Sequence, residues 1–165
     1  MREILFRGKR KDNGEWVEGF YHYSNWINPI TKELVKTTYC ILPLGYQDAY
    51  KVIPETIGQY TGLTDKNGKK IFEGDILQVD VQEYKDKIED FWGELRTNRV
   101  FTGKYRKELW SVEYKEHFCK GNGFYGYGKD RRFNINLTKS TLSNVNAEII
   151  GNIHDNPELL KGGAE

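Results

Sequence analysis

The chain has 165 residues, of which 38% are hydrophobic and 30% charged, and its formal net charge is +1. This length fits a single domain, and the balanced charge gives no global electrostatic reason to expect a nucleic-acid or membrane partner. No run approaches the roughly 18 apolar residues of a membrane helix, and the first residues lack the apolar core of a signal peptide. The aromatic content of 14% and the 17 glycines predict a mainly β, turn-rich fold.

The first part of the chain predicts strands joined by tight turns. Residues 4–23 alternate in polarity on either side of a Lys-Asp-Asn-Gly turn at residues 11–14, a pattern typical of a β-hairpin. Residues 25–36 contain an Asn-Pro pair and predict a loop or an irregular hairpin tip. A further strand is predicted over residues 37–44.

Residues 52–77 combine strand and turn chemistry most densely. Pro54 favours an extended approach, and Gly58 inside a strand-like run indicates a bulge or a close backbone approach. Residues 65–68, Asp-Lys-Asn-Gly, predict a tight hairpin turn. A second turn at residues 73–75, Glu-Gly-Asp, is expected to lead into another strand.

One segment has a helical pattern. In residues 82–95 apolar side chains recur at helical spacing with charged residues between them, which predicts an amphipathic helix. The apolar residues are Tyr84, Ile88, Phe91, Trp92 and Leu95.

The rest of the chain returns to strand patterns. Strands are predicted over residues 100–105, 108–117, 131–137 and 145–153. A short terminal helix is predicted to begin at Asn156-Pro157, with asparagine as the cap and proline in the first turn.

Two glycine-containing motifs fail the tests of their mechanisms. Residues 121–126 match the letters of a dinucleotide-binding fingerprint, but a strand-like pattern follows where a helix is required. We therefore expect a glycine-rich hairpin loop and no cofactor. Asp65 begins a calcium-like loop, but Lys70 and Ile76 occupy the positions that need glycine and glutamate.

Other side chains are candidate ligands or catalytic groups. Glu73 and Asp75 could bind a hard cation such as Mg²⁺, although a third ligand is missing; the alternative is that both are solvated or bonded to nearby backbone N–H groups. His117 and Cys119, two residues apart on a predicted strand, would face the same side as a candidate base and nucleophile. His22, His154 and Cys40 do not add metal-ligand spacing, so we expect reduced, buried thiols and no metal site.

The segment 118–133 combines aromatic and basic residues. Stacking rings beside cations are the chemistry of single-stranded nucleic-acid binding, whereas the competing interpretation is a solvated loop whose tyrosines pack on the protein. The candidate nucleic-acid or partner-binding residues are Phe124, Tyr125, Tyr127, Lys129, Arg131 and Arg132.

Four segments together resemble the YopX family of small phage and prophage proteins. They are REILFR at residues 2–7, WVEG at 16–19, the stretch from IPETIGQYTGL to IFEGDI at 53–76, and IIGNIHDNPELL at 149–160. The resemblance implies a mainly β fold with a small SH3-like β-barrel, encoded in a phage or an integrated prophage. It implies no catalytic residues, because such proteins have no established activity.

The predicted architecture is an SH3-like β-barrel with additional N-terminal hairpin strands and one helix in a variable insertion. The resemblance implies a single domain over residues 1–160, with matching blocks at 1–20, 52–77 and 145–160. The insertion covers about 82–144, and residues 161–165 form a flexible tail.

The main functional hypothesis is a non-enzymatic phage accessory protein in the host cytoplasm, with a barrel that binds a host or phage macromolecule. Partner specificity would lie in the variable insertion, because binding residues are frequent on loops held by a rigid scaffold. The alternatives are nucleic-acid binding through residues 118–133 and a metal-dependent enzyme around Glu73 and Asp75. The expected partner is a protein, with nucleic acid and a second copy of the chain left open, and with no membrane or cofactor.

Overall fold

The computed structural model describes residues 3–91, 94–115, 123–128 and 134–161. These residues form two antiparallel sheets, of six and five strands. The first has the order β4-β3-β2-β1-β5-β6 and contains β1 Phe6–Lys9, β2 Trp16–Ile27, β3 Leu34–Leu42, β4 Tyr50–Lys51, β5 Gly58–Thr64 and β6 Lys70–Phe72. The second has the order β10-β9-β8-β7-β11 and contains β7 Asp75–Phe91, β8 Glu94–Lys115, β9 Gly123–Gly128, β10 Asn134–Asn136 and β11 Glu148–Asn152.

The mainly β prediction is confirmed, but the predicted SH3-like barrel is not. Each sheet ends in two edge strands, β4 and β6 in the first and β10 and β11 in the second. The described strands therefore form two open sheets that meet where β6 turns into β7. The additional hairpin strands at the N-terminus are present as β1 and β2.

The helix predicted over residues 82–95 is wrong. The described residues of this segment belong to β7 and β8, which pair from Ile76 opposite Ser111 out to Phe91 opposite Glu94. Apolar residues four positions apart lie on one face of a helix, and they also lie on one face of a strand, in which every second residue shares a face. Long-range pairing therefore overrides the local pattern.

The predicted turns are confirmed. Gly14, Gly68 and Gly74 have positive φ values of 75°, 80° and 84° at the three turns. At Gly58 the close backbone approach is real, because a β-carbon there would lie 2.4 Å from the Glu73 carbonyl oxygen. The strand pattern before it is broken by a 3₁₀ turn at Pro54–Thr56.

Two short helices lie towards the C-terminus. Helix α1, Lys139–Asn144, was not predicted; the Thr138 side chain caps it by accepting a hydrogen bond from the Thr141 N–H. The predicted terminal helix is a 3₁₀ turn at Pro157–Leu159, and the Asn156 side chain does not cap it. No helix among the described residues is long and apolar enough to cross a membrane.

The main core lies against the second sheet and buries apolar residues from both sheets and from α1. A smaller cluster of Leu5, Tyr60 and Phe72 lies beside β1. The main cluster consists of Ile71, Leu77, Val79, Trp110, Val112, Phe124, Leu137, Leu142 and Ala147.

Asp65 organises the β5–β6 turn and attaches it to β11. Its Oδ1 accepts the N–H groups of Asn67 and Lys69, both at 2.9 Å, and its Oδ2 accepts the Ile149 N–H at 3.2 Å. The residue is buried. The carboxylate that looked like the start of a calcium loop is therefore occupied by backbone donors.

We predict that Asp65→Ala lowers the free energy of unfolding by about 3 kcal/mol, because three backbone donors lose their acceptor at roughly 1 kcal/mol each. Asp48→Ala, at an exposed position, is the control and should change stability by less than about 0.5 kcal/mol. Urea unfolding measures both values, and equal effects of the two variants would contradict the structural role of Asp65.

Candidate functional site

A buried ion pair joins the two sheets. An Arg7 side-chain nitrogen of β1 lies 2.5 Å from Asp75 Oδ1 at the start of β7, and the two side chains are only 11% and 1% exposed. The second oxygen, Oδ2, accepts the Phe72 N–H at 2.8 Å. The guanidinium lies 4.7 Å from the centre of the Trp16 ring and 4.8 Å from that of Phe72. Both oxygens of Asp75 are thus engaged in structural contacts.

Glu73, the other predicted metal ligand, faces a separate cleft of about 360 Å³ that Glu55, Glu113 and His154 also line. Its Oε1 accepts a hydrogen bond from the Tyr114 N–H at 3.3 Å. Within the described part of the chain, no group of three or more His, Cys, Asp or Glu residues is arranged to hold a metal ion. The predicted metal pair is therefore divided between the interior and the cleft.

We predict that Asp75→Ala destabilises the protein by about 3–5 kcal/mol, because it leaves the Arg7 charge buried without its partner. The double variant Arg7→Met, Asp75→Ala should lose less than the sum of the two single variants. Glu3→Ala is the control: it removes an exposed ion pair with Lys70 and should cost less than about 1 kcal/mol. Additive losses in urea unfolding would contradict the coupling.

A second polar cluster joins Trp16 of β2 to His154 and Asp155, which lie near the C-terminal end of the chain. Asp155 accepts a hydrogen bond from Lys9 and another, at 2.7 Å, from the Trp16 indole N–H. The Lys9 hydrogen bond is the main reason that the pKa of Asp155 is lowered. The His154 ring centre lies 6.3 Å from that of Trp16. The pKa of His154 is lowered, mainly by burial and secondly by the positive charge of Lys9.

We predict that the melting temperature falls between pH 7 and pH 5.5 because of His154. A folded pKa below the unfolded value, about 6.5 for histidine, means that the unfolded chain takes up the proton first. Stability is therefore fully present above the unfolded pKa and decreases as the pH falls towards the folded one. In His154→Gln this decrease should be smaller, and an unchanged slope would assign it to other groups.

The predicted aromatic and basic patch is not arranged as a stacking surface in the described residues. Phe124, Tyr125 and Tyr127 lie on β9 with exposures of 4%, 0% and 7%. Rings buried in this way present no open face on which nucleic-acid bases could stack, and the binding role expected of these residues stays a prediction. The cationic members Lys129, Arg131 and Arg132 lie outside the described residues.

The remaining candidates do not form a catalytic set in the described residues. Cys40 is a free and buried thiol, as predicted, whereas His117 and Cys119 lie outside the described residues. From Gly123 onwards the glycine-rich segment is strand β9, so the helix that a dinucleotide fingerprint requires is absent from its described part.

A larger feature was missed by sequence reasoning. We call residues 22–38 the arm: it is the outer part of the β2–β3 hairpin, and none of its residues is buried. Because both faces are open to solvent, this hairpin projects from the body of the protein. Nine of the 16 exposed large hydrophobic residues identified in the described chain lie between Phe20 and Tyr46. Those in the arm are Tyr23, Trp26, Ile27, Ile30, Leu34 and Val35.

The tip of the arm is held in a defined turn. The Asn28 N–H donates to the Glu33 carbonyl at 2.9 Å, and the Lys32 N–H donates to the Asn28 carbonyl at 2.9 Å. The Asn28 side chain also accepts the N–H of Ile30 at 2.8 Å and that of Thr31 at 3.2 Å. This turn presents Ile30, which is 88% exposed, at the end of an ordered hairpin.

Aromatic contacts connect the arm to the body. The ring of Tyr21, at the base, lies 5.3 Å from that of Phe6 on β1 and 6.4 Å from that of Tyr23 in the arm. Burial is the first cause of the raised pKa of Tyr21. The arm therefore starts from a partly buried aromatic base. The sequence signal was the apolar content around Asn28-Pro29, which is high for a solvent loop.

The described residues define a two-sheet, mainly β protein with a projecting apolar hairpin. The chain belongs to the YopX family, because the family model described as YopX protein matches residues 5–161. It is similar to the crystal structure of protein EF1440 from Enterococcus faecalis, with 21% identity over 97% of this chain and 99% of that chain and a TM-score of 0.47. No curated protein matches the chain. The resemblance noted in the sequence is confirmed at the level of the family.

Proposed function

We propose that this protein is a non-enzymatic binding module and that the arm is its docking surface for another protein. The observation that carries the proposal is the exposed apolar surface of the ordered arm. Trp26 and Tyr23 are 59% and 60% exposed although their backbone is regularly paired. Exposed apolar side chains concentrated on one ordered element are typical of interaction sites in folded proteins, and tryptophan and tyrosine are typical interface hot spots.

The charge of the arm favours a protein over a nucleic acid. Its 17 positions contain only Lys32, Glu33 and Lys36 as fully charged residues, for a net charge of +1. Nucleic-acid binding depends on several phosphate-neutralising cations. The rings of the other candidate, the 118–133 segment, are buried where they are described, so we do not propose it as a second function.

The backbone of the arm favours a protein over a lipid surface. β1 pairs with β2 only from Trp16 to Gly19, so the outer edge of the arm has no strand partner among the described residues. Unpaired backbone N–H and carbonyl groups cost several kcal/mol each in hydrocarbon, whereas a protein strand or side chain can bond to them. A protein partner therefore accommodates both the apolar side chains and the open edge.

The hydrogen bonds that Glu73 and Asp75 make within the protein favour a binding role over a catalytic one. Asp75 is held by Arg7 and a backbone N–H, and Glu73 accepts a backbone N–H. Neither is presented as a free general base. As part of the proposal, the family resemblance suggests a phage or host protein as the partner and a single domain over residues 1–160. In this proposal partner specificity lies in the arm and not primarily in residues 82–144.

The test begins with affinity capture from a phage-infected bacterial lysate, followed by purification of the captured protein and direct measurement of its dissociation constant. We expect Trp26→Glu with Ile30→Glu to weaken binding at least about 30-fold, as for loss of a hot-spot residue. Ile4→Glu is the matched control, because Ile4 is 62% exposed but lies outside the arm, and it should bind as the wild type does.

Three results would overturn the proposal. The first is a captured protein that binds the arm variant and the wild type equally. The second is binding to phosphatidylglycerol vesicles that depends on Trp26 and Ile30, which would make the arm a membrane anchor. The third is binding of an oligonucleotide in a gel-shift assay, where the binding weakens with added salt and also weakens when Trp26→Glu and Ile30→Glu are introduced.

A further inference from the structure

We infer that a second copy of this chain pairs with the outer edge of β2 in the arm, so that two arms form one continuous four-stranded sheet about a two-fold axis. The inference rests on the proposed role of the arm as a docking surface. It names the protein strand that pairs with the backbone edge of the arm, and it leaves the side-chain faces to the partner of the proposed function. The two surfaces are separable by experiment.

The direction of the open backbone groups follows from the pairing. The Val52 N–H donates to the Tyr39 carbonyl at 3.0 Å, so the polar groups of β3 at Tyr39 face away from β2. These directions alternate along an antiparallel ladder. Thr38, the neighbour of Tyr39, therefore directs its polar groups towards β2, and Ser24, which lies opposite Thr38, bonds to β3. Tyr23 and Asn25 therefore direct their N–H and carbonyl groups towards the outer edge, which has no strand partner among the described residues.

This edge lacks the features that usually prevent strand association. Residues 22–27 read His-Tyr-Ser-Asn-Trp-Ile, with no lysine, acidic residue, proline or glycine. The opposite edge of the arm is protected, because β3 carries Lys36 and a register shift opposite Trp26 and Ile27. The contrast identifies β2 as the pairing edge, and its tyrosine, tryptophan and isoleucine favour strand pairing.

The charge of the edge favours a copy of itself as the occupant. A two-fold contact brings each surface against the same surface, so any charged group would meet its own copy. Residues 22–27 contain no fully charged group, although 30% of the whole chain is charged. Self-pairing here therefore carries no like-charge repulsion from these residues.

The exposed area gives a second reason for a two-fold assembly. Six large side chains at roughly 100 Å² each offer about 600 Å², divided between two faces of a narrow ribbon. One face thus provides about 300 Å², well below the roughly 800 Å² per partner of a standard interface. Joining two arms edge to edge doubles each face. Each face of the dimer therefore offers about 600 Å², which is closer to the standard area than the face of a single arm.

The test measures molar mass by light scattering and sedimentation at about 10–100 µM. We expect a dimer for the wild type and for Asn25→Ala, which removes the side-chain acceptor of Thr37 but keeps the backbone donor. Asn25→Pro removes the outward N–H, a change that edge strands tolerate, and should be monomeric. Asn25→Lys keeps the N–H and places like charges across the axis, so it should also be monomeric if the proline variant fails to fold.

Hydrogen exchange gives a readout that needs no variant. We expect the amides of Tyr23 and Asn25 to exchange at least about tenfold more slowly at high than at low protein concentration, because pairing protects them. The amide of Ser24, which faces β3, should show no comparable dependence.

Two outcomes would overturn the inference. They are a monomeric wild type at the highest concentration, and a dimer that persists in folded Asn25→Pro and Asn25→Lys. A monomer that still binds its partner through Trp26 would leave the proposed function standing. A dimer whose arm binds no other protein would support the inference and contradict the proposed function.

Discussion

The ion pair between Arg7 and Asp75 is the interaction on which the arrangement of the two sheets depends. One partner belongs to β1 of the first sheet and the other to β7 of the second. A carboxylate that is 1% exposed requires a partner charge and further hydrogen bonds. Arg7 supplies the charge, and the Phe72 N–H supplies a hydrogen bond. Any displacement of the sheets would leave a charge buried without its partner, so the pair selects this arrangement.

The chain crosses between the sheets at the same place, and its backbone is bonded to both. The Glu73 N–H donates to Gln59 of the first sheet, and the Gly74 N–H donates to Val112 of the second, both at 2.9 Å. The Gly74 carbonyl accepts from Ile153 at 2.9 Å. The Glu-Gly-Asp turn thus connects the two sheets and the C-terminal segment. Its acidic residues are bonded within the fold, because Asp75 accepts from Arg7 and the Phe72 N–H and Glu73 accepts from the Tyr114 N–H.

The sequence predicted those features that are decided by a few neighbouring residues. The turns at Gly14, Gly68 and Gly74 follow from local backbone preference, and Gly58 marked a real backbone contact. Features decided by distant partners were missed. The strand β7 carries a spacing of four that also suits a helix, and only its pairing with β8 decides the outcome.

The candidate site shows the same limit. Aromatic residues beside cations suggested an exposed patch, but Tyr125 is fully buried in the sheet. Conversely, the Asn-Pro pair in residues 25–36 suggested a loop or an irregular hairpin tip, and the exposure of the neighbouring apolar residues on both faces of a paired hairpin appears only in three dimensions. Burial depends on what packs against a segment, and residue type alone does not specify it.

The stability of the monomer does not explain why the arm is present. Its strands pair from Phe20 opposite Leu42 to Ile27 opposite Leu34, with one register shift between Trp26 and Ile27, so its exposure is a property of the folded state and not of local unfolding. Ordering each residue costs about 1–2 kcal/mol in backbone entropy, and within the described chain the apolar side chains of the arm recover little of this by burial. A surface ordered in advance and left uncovered lowers the entropic penalty of a later association. The proposed docking role gives the arm a physical reason, which is a contact outside the monomer.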